Sequence, residues 1–282
     1  MQPTPDPTNA MPPGDGAGWQ AFFVHAHDPL AADDGPVPAA LSRLGIDAHL
    51  LRVFELHGTD ASQVASALGD PRRIERWLVS SPAAVRHLHR VDAESRLSLF
   101  GSDGALAMAA LRGRLFAPGP GTAATLQTYG VEPVVVPAAR FDSEGLLALP
   151  ALAPPLSGRL AIVSAPGGRG LLQEVLSARG ANVLTLHVYR REDATPLPAQ
   201  RDRLATAARP VLVASSLEAL QRLPDVLPEA LFPRLARDAP LVVASERLSH
   251  AARTLGFRRC HVAGSALADD LATAVASAMA AP

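Results

Sequence analysis

The strongest constraint in this sequence is that it repeats itself. Residues 40–54, ALSRLGIDAHLLRVF, lie over residues 175–189, VLSARGANVLTLHVY, at an offset of 135. Leu41 meets Leu176, Ser42 meets Ser177, Gly45 meets Gly180, Leu51 meets Leu186, Val53 meets Val188, and Tyr189 falls opposite Phe54. The same offset sets WLVSSPAAVRHL (77–88) over LVASSLEALQRL (212–223), so that Ser81 meets Ser216. Residues 116–131 align with 242–257 at an offset of 126, pairing Gly130 with Gly256 and Thr128 with Thr254. The nine-residue difference predicts an insertion in the first copy, within residues 92–113. A duplicated register of this length requires a fold that can be built twice from one chain.

Each copy reads as short Val/Leu-rich runs followed by amphipathic segments that end in Gly. Examples are FFVHA before PVPAALSRLG and LAIVSA before GRGLLQEVLSARG. That alternation predicts an α/β fold of two similar, doubly wound parallel-sheet domains of the flavodoxin-like kind. In such sheets ligands bind at the carboxyl ends of the strands. The loops there are SSP (80–82), GPGT (119–122), GGRG (167–170), SS (215–216) and SER (245–247). Each offers N–H groups at a helix N-terminus, several with a hydroxyl, and suits either simple helix capping or a small anion pocket.

Composition narrows the chemistry. The net charge is −1, which gives no bulk attraction to nucleic acid or to a membrane surface. All 26 cationic side chains are arginine, so lysine Schiff-base chemistry is excluded and anions must be held by Arg, hydroxyls or backbone N–H groups. The single cysteine, Cys260, allows no internal disulfide and fits a reducing cytoplasm; its setting, FRRCHVA, suggests a buried small apolar residue. The Pro- and Gly-rich start lacks the basic and apolar regions of a signal peptide and is expected to be a disordered tail over 1–18. No apolar run reaches the ~18 residues of a membrane span. HAHD (25–28) places His25 and His27 on one face of a strand, but no further ligands accompany them, and a polar strand end is expected rather than a metal site. His87 and His89 are expected on a solvated helix flank. There is no dinucleotide fingerprint, P-loop or G-x-S-x-G elbow.

Several segments resemble one family. RFDSEGLLAL (140–149), GPGTAATLQTYGV (119–131), GGRGLLQEVLSARGANVLTLHVYRR (167–191) and LVVASERLSHAARTLGF (241–257) are similar, in order and spacing, to motifs of uroporphyrinogen-III synthases, over about residues 20–275. The resemblance implies two α/β domains joined by a two-stranded linker, with a cleft between them. The first domain would hold 19–52 and 192–282, the second 53–191, with linking strands near 53–57 and 188–191.

The resemblance also implies an activity. The substrate would be hydroxymethylbilane, a linear tetrapyrrole with eight carboxylates, cyclised to uroporphyrinogen III with loss of water and inversion of ring D. No metal or organic cofactor would be used, and the protein would be a cytoplasmic monomer. Tyr189, in V-Y-R-R, takes the place of the family's linker tyrosine and would donate a proton to the departing hydroxyl, facing the cleft. Thr122 and Gly119 in GPGT, Ser81, Ser216, Ser245 and Arg169 would meet the carboxylate arms. Ser102, in SLFGSDGALAMAAL, is a second match to the turn that holds Ser81. Of Arg190 and Arg191, adjacent on a strand, both cannot face the cleft. Two family arginines are absent, near His27 and near Ser164. Their loss leaves an alternative open: a degenerate homologue that binds a tetrapyrrole or a protein partner without turnover.

Overall fold

The computed structural model describes residues 18–31, 35–167 and 170–281. Most of the expected tail and one candidate residue, Arg169, lie outside the described residues. The chain separates into two compact units. Among described residues the first comprises 18–27, 35–54 and 193–281, and the second comprises 28–31, 55–167 and 170–192.

The first unit contains β1 (Trp19–His27), α1 (Pro36–Arg43) and the start of β2 (Asp47–Gly58). Later chain adds the end of β7 (Tyr189–Asp193), α8 (Pro198–Thr206), β8 (Arg209–Ala214), α9 (Leu217–Val226) and α10 (Leu231–Asp238). It closes with β9 (Leu241–Val243), α11 (Glu246–Thr254), β10 (Cys260–Val262) and α12 (Ala268–Ala280). The strand order is β10-β9-β8-β1-β2-β7. The pairs β1–β8, β8–β9 and β9–β10 are parallel. β7 runs opposite to β2: Ala194 N donates to Val53 O, whereas Thr59 N donates to Val188 O, so partner numbers fall as the strand advances.

Both faces of this sheet are buried, and the period-two alternation of a strand sorts residues between them. Phe22, Val24, Leu212 and Ala214 pack on the face covered by α8 to α11. Ala21, Phe23, Val211 and Val213 pack on the other, beneath α1 and α12. A strand whose every residue is buried reads as a continuous apolar run, as FFV and VLVA do.

The second unit contains α2 (Ala61–Leu68), β3 (Ile74–Val79), α3 (Pro82–Ser95), α4 (Ala105–Leu111), β4 (Leu115–Phe116), α5 (Pro120–Thr128) and α6 (Ser143–Leu147). It ends with β5 (Arg159–Ser164), α7 (Leu171–Ala178) and β6 (Asn182–His187), and its parallel sheet has the order β4-β3-β5-β6. Phe116 is further bridged to Val135. Helices α1 and α7, and strands β3 and β8, have bounds 135 apart, while α5 and α11 have bounds 126 apart. The offset changes between α3 and α4. There α3 continues to Ser95, and the Asp92 carboxylate accepts hydrogen bonds from Leu99 N and Phe100 N at 3.0 and 3.1 Å.

Gly45 and Gly180, equivalent in the repeat, both follow a helix with positive φ, +73° and +104°. They differ in surroundings. A Cβ on Gly45 would meet nothing within 4 Å, whereas one on Gly180 would stand 2.5 Å from the Leu156 carbonyl oxygen. Gly45→Ala should therefore cost about 1 kcal/mol, from backbone strain alone. Gly180→Ala should cost roughly 3 kcal/mol, because backbone must also move. Urea denaturation of the two variants measures the difference, and equal costs would refute it.

Candidate active site

Local structure explains where the described candidate residues sit. Ser81 follows β3 and caps α3, its Oγ accepting from Ala84 N at 3.1 Å. Ser216 follows β8 and caps α9 in the same way, accepting from Ala219 N at 3.4 Å. Gly119 and Ser245 stand at the N-cap positions of α5 and α11, neither with a side-chain cap bond. Thr122 is buried in the first turn of α5. Ser102 sits exposed in the inserted loop ahead of α4, away from any strand end, so Ser81 alone occupies the strand-end turn.

Tyr189 opens β7 and is 3% exposed. Its hydroxyl lies 3.3 Å from Ser81 Oγ. The chain arrives there by a break. Val188 N donates to Ser164 O beside β5, and Val188 O accepts from Thr59 N beside β2, so Val188 passes the backbone from one partner strand to another. Val188 and Tyr189 are consequently both buried, against the alternation expected of one continuous strand.

The phenol ring stacks on His87, with centroids 5.1 Å apart and planes 24° apart. This corrects the expectation that His87 lies on a solvated flank. His87 is 1% exposed because it falls in the inward stripe of α3 with Ala84, Leu88 and Val91. His89 is half-buried on the same helix and stacks on Tyr129 at 4.2 Å. His87 Nε2 stands 3.3 Å from Asp28 Oδ1, and neither ring nitrogen makes a hydrogen bond.

Asp28 is itself buried and well satisfied. Arg86 donates from Nε at 2.8 Å and approaches with Nη2 at 2.7 Å, while Leu30 N donates at 3.0 Å. Burial alone would push the Asp28 carboxyl up, but the His87 contact and the Arg86 guanidinium outweigh it and hold the value down at about 2. A folded-state value below the unfolded one adds stability that is fully present above about pH 4 and lost as pH falls toward 2. The contribution is on the order of 2 kcal/mol. Asp28→Asn should lower stability by about that amount at neutral pH, with the gap to the unsubstituted protein closing below about pH 4. Denaturation curves at several pH values test this, and a gap that persists unchanged at pH 2 would contradict it.

Arg190 and Arg191 are both exposed, and Arg190 is paired to Glu192 at 2.7 Å. In HAHD, Asp28 is taken up by Arg86 and His87. His25 and His27 instead help line a cavity of about 440 Å³ in the first unit, with His49, Arg52 and Arg203. Among the described residues no group of three or more His, Cys, Asp or Glu could hold a metal ion. Cys260 is half-buried beside the first unit's core, and burial pushes its thiol up. No described helix is long and apolar enough to cross a membrane.

The geometry thus brings together two predicted residues, Tyr189 and Ser81, and adds three that the sequence did not suggest: Asp28, Arg86 and His87. Together they form a hydroxyl pair at a helix N-terminus, backed by an imidazole and a fixed carboxylate. Such a set can hold a phenol in one orientation and stabilise negative charge on it.

Comparison with known proteins points in one direction. The chain is 38% identical over 164 residues to the uroporphyrinogen-III synthase of Salmonella typhimurium, covering 57% of this chain and 66% of that protein. It is 35% identical over 162 residues to the Escherichia coli uroporphyrinogen-III synthase, covering 57% and 65%. The matches therefore span slightly under two thirds of these relatives' lengths. A mutant uroporphyrinogen III synthase from Thermus thermophilus superposes with a TM-score of 0.59 at 20% identity, covering 93% of this chain and 98% of the other, a likeness of fold. The family model for uroporphyrinogen-III synthase HemD matches residues 36–273, and the chain belongs to that family.

Proposed function

We propose that this protein is a uroporphyrinogen-III synthase, closing hydroxymethylbilane into uroporphyrinogen III with loss of water and inversion of ring D. Its two units are each read as doubly wound, the second inserted into the first, and its substrate as a flexible octacarboxylate. The observation that carries the catalytic reading is the 3.3 Å contact between the Tyr189 and Ser81 hydroxyls at the N-terminus of α3.

The chemistry asks little of the protein in covalent terms. The hydroxymethyl C–O bond breaks, and the pyrrole nitrogen's electron pair stabilises the resulting azafulvene cation. The Tyr189 phenol is placed to give its proton to the leaving oxygen, which departs as water. Ser81 Oγ already accepts from Ala84 N, so its own O–H is available to donate to the Tyr189 oxygen. That leaves the phenol proton free for the substrate. It also stabilises the phenolate that remains, as does the positive end of the α3 dipole. Ring D attacks through its substituted carbon, the spiro intermediate rearranges, and the proton shed as the last pyrrole regains aromaticity returns to the phenolate. Holding the chain of rings so that this carbon attacks contributes several kcal/mol.

Thr122, Gly119, Ser216, Ser245 and Arg169 are proposed to receive carboxylate arms through hydroxyls, backbone N–H groups and a guanidinium. The test uses enzymatically prepared hydroxymethylbilane. The type I isomer forms spontaneously, so the protein should shift the product to type III. An unchanged isomer ratio overturns the activity and favours a binding role without turnover.

A further inference from the structure

We propose that His87 is a positioning residue for Tyr189, held in place by Asp28, so that the Asp28–His87 contact sets the aim of the phenol's O–H. This rests on the reading of Tyr189 as the proton donor. Three observations carry it. The imidazole is 1% exposed and stacks on the phenol, with 5.1 Å between centroids and 24° between planes. Its Nε2 faces Asp28 Oδ1 at 3.3 Å. Asp28 is immobilised by Arg86 and by Leu30 N, giving the chain of contacts a rigid end.

The same helix carries both ends of the arrangement. Ser81, which meets the phenol oxygen, is the N-cap of α3, and His87, which meets the phenol face, lies less than two turns along it. One rigid element therefore fixes the ring plane and the direction of its oxygen together. Both His87 nitrogens are buried without a hydrogen-bond partner, and Nε2 meets Asp28 only as a 3.3 Å polar contact. A buried histidine with an idle nitrogen is a costly way to fill space, and an apolar side chain would do that better. What the imidazole offers in exchange is its contact to Asp28.

A double-mutant cycle tests the role. His87→Ala should lower kcat for isomer III formation about 10-fold and leave KM within about 2-fold, because misaiming a donor acts on the chemical step. In a Tyr189→Phe background, where no proton remains to be aimed, His87→Ala should change kcat by less than about 2-fold. His87→Phe preserves the stacked ring but abandons Asp28; it should fold normally and still lose at least about 3-fold in kcat, and it carries the same cycle if His87→Ala does not fold. Unchanged kcat in His87→Phe, or effects that multiply in the double variant, would overturn the proposal. Unchanged kcat in Tyr189→Phe itself would instead remove the donor role on which the proposal rests.

Discussion

Tyr189→Phe should lower kcat for isomer III formation by about 10²-fold, with KM nearly unchanged. The expected size follows from what the substitution removes. The phenyl ring keeps its stack on His87, and Ser81 keeps its bond from Ala84 N, so the local fold is retained. Only the O–H is lost. Loss of one positioned acid costs between roughly 10² and 10⁴, and the low end applies here because the Ser81 hydroxyl, 3.3 Å away, can guide a water into the vacated place. Stability should fall by no more than about 1 kcal/mol, the net value of one hydrogen bond. Isomer analysis of timed reactions, paired with a thermal melt, checks both statements. A variant that melts normally and turns over at the original rate would eliminate the phenol as acid.

Gly145→Ala should destabilise the protein strongly, costing about 3 kcal/mol or more. Gly145 is in α6, where Asp142 caps the helix by accepting from Gly145 N at 2.9 Å. The turn is so tight that a Cβ on Gly145 would overlap the Arg140 carbonyl oxygen. The atom in the way is backbone, which yields less readily than the end of a flexible side chain. Opening the turn would also shift Leu146, which packs with Phe116, Leu152 and Leu176 in the core. Equilibrium unfolding in urea measures the cost, and a value within about 0.5 kcal/mol of the unsubstituted protein would refute the clash argument.

The same segment shows how much could be read in advance. RFDSEGLLAL reads as a motif, but the reason for its glycine is a contact across five residues that no pattern displays. The architecture was legible because its signals are local and repeated. An offset of 135 pairs α1 with α7 and Ser81 with Ser216, and continuous apolar runs mark strands buried on both faces. Ser81 could be preferred to Ser102 on that offset alone. His87 could have been found as well, since Ala84, His87, Leu88 and Val91 complete a helical stripe. Its partner could not, because Asp28 lies just beyond a strand, 59 residues earlier. Tyr189's burial was illegible for a different reason. The break at Val188 resets the alternation, and which way a side chain points after such a break depends on the strand that receives it.

The order in which the chain pairs its strands has a consequence for synthesis. All four strands of the second unit's sheet lie between Ile74 and His187, so that sheet can be complete while the ribosome is still making the rest. β1 is made before its neighbour β8, which begins at Arg209. Until then β1 lacks that partner and has only β2 beside it in the sheet. Truncated nascent chains that stop before Arg209 should be protease-resistant in the later-starting half and cleaved within β1.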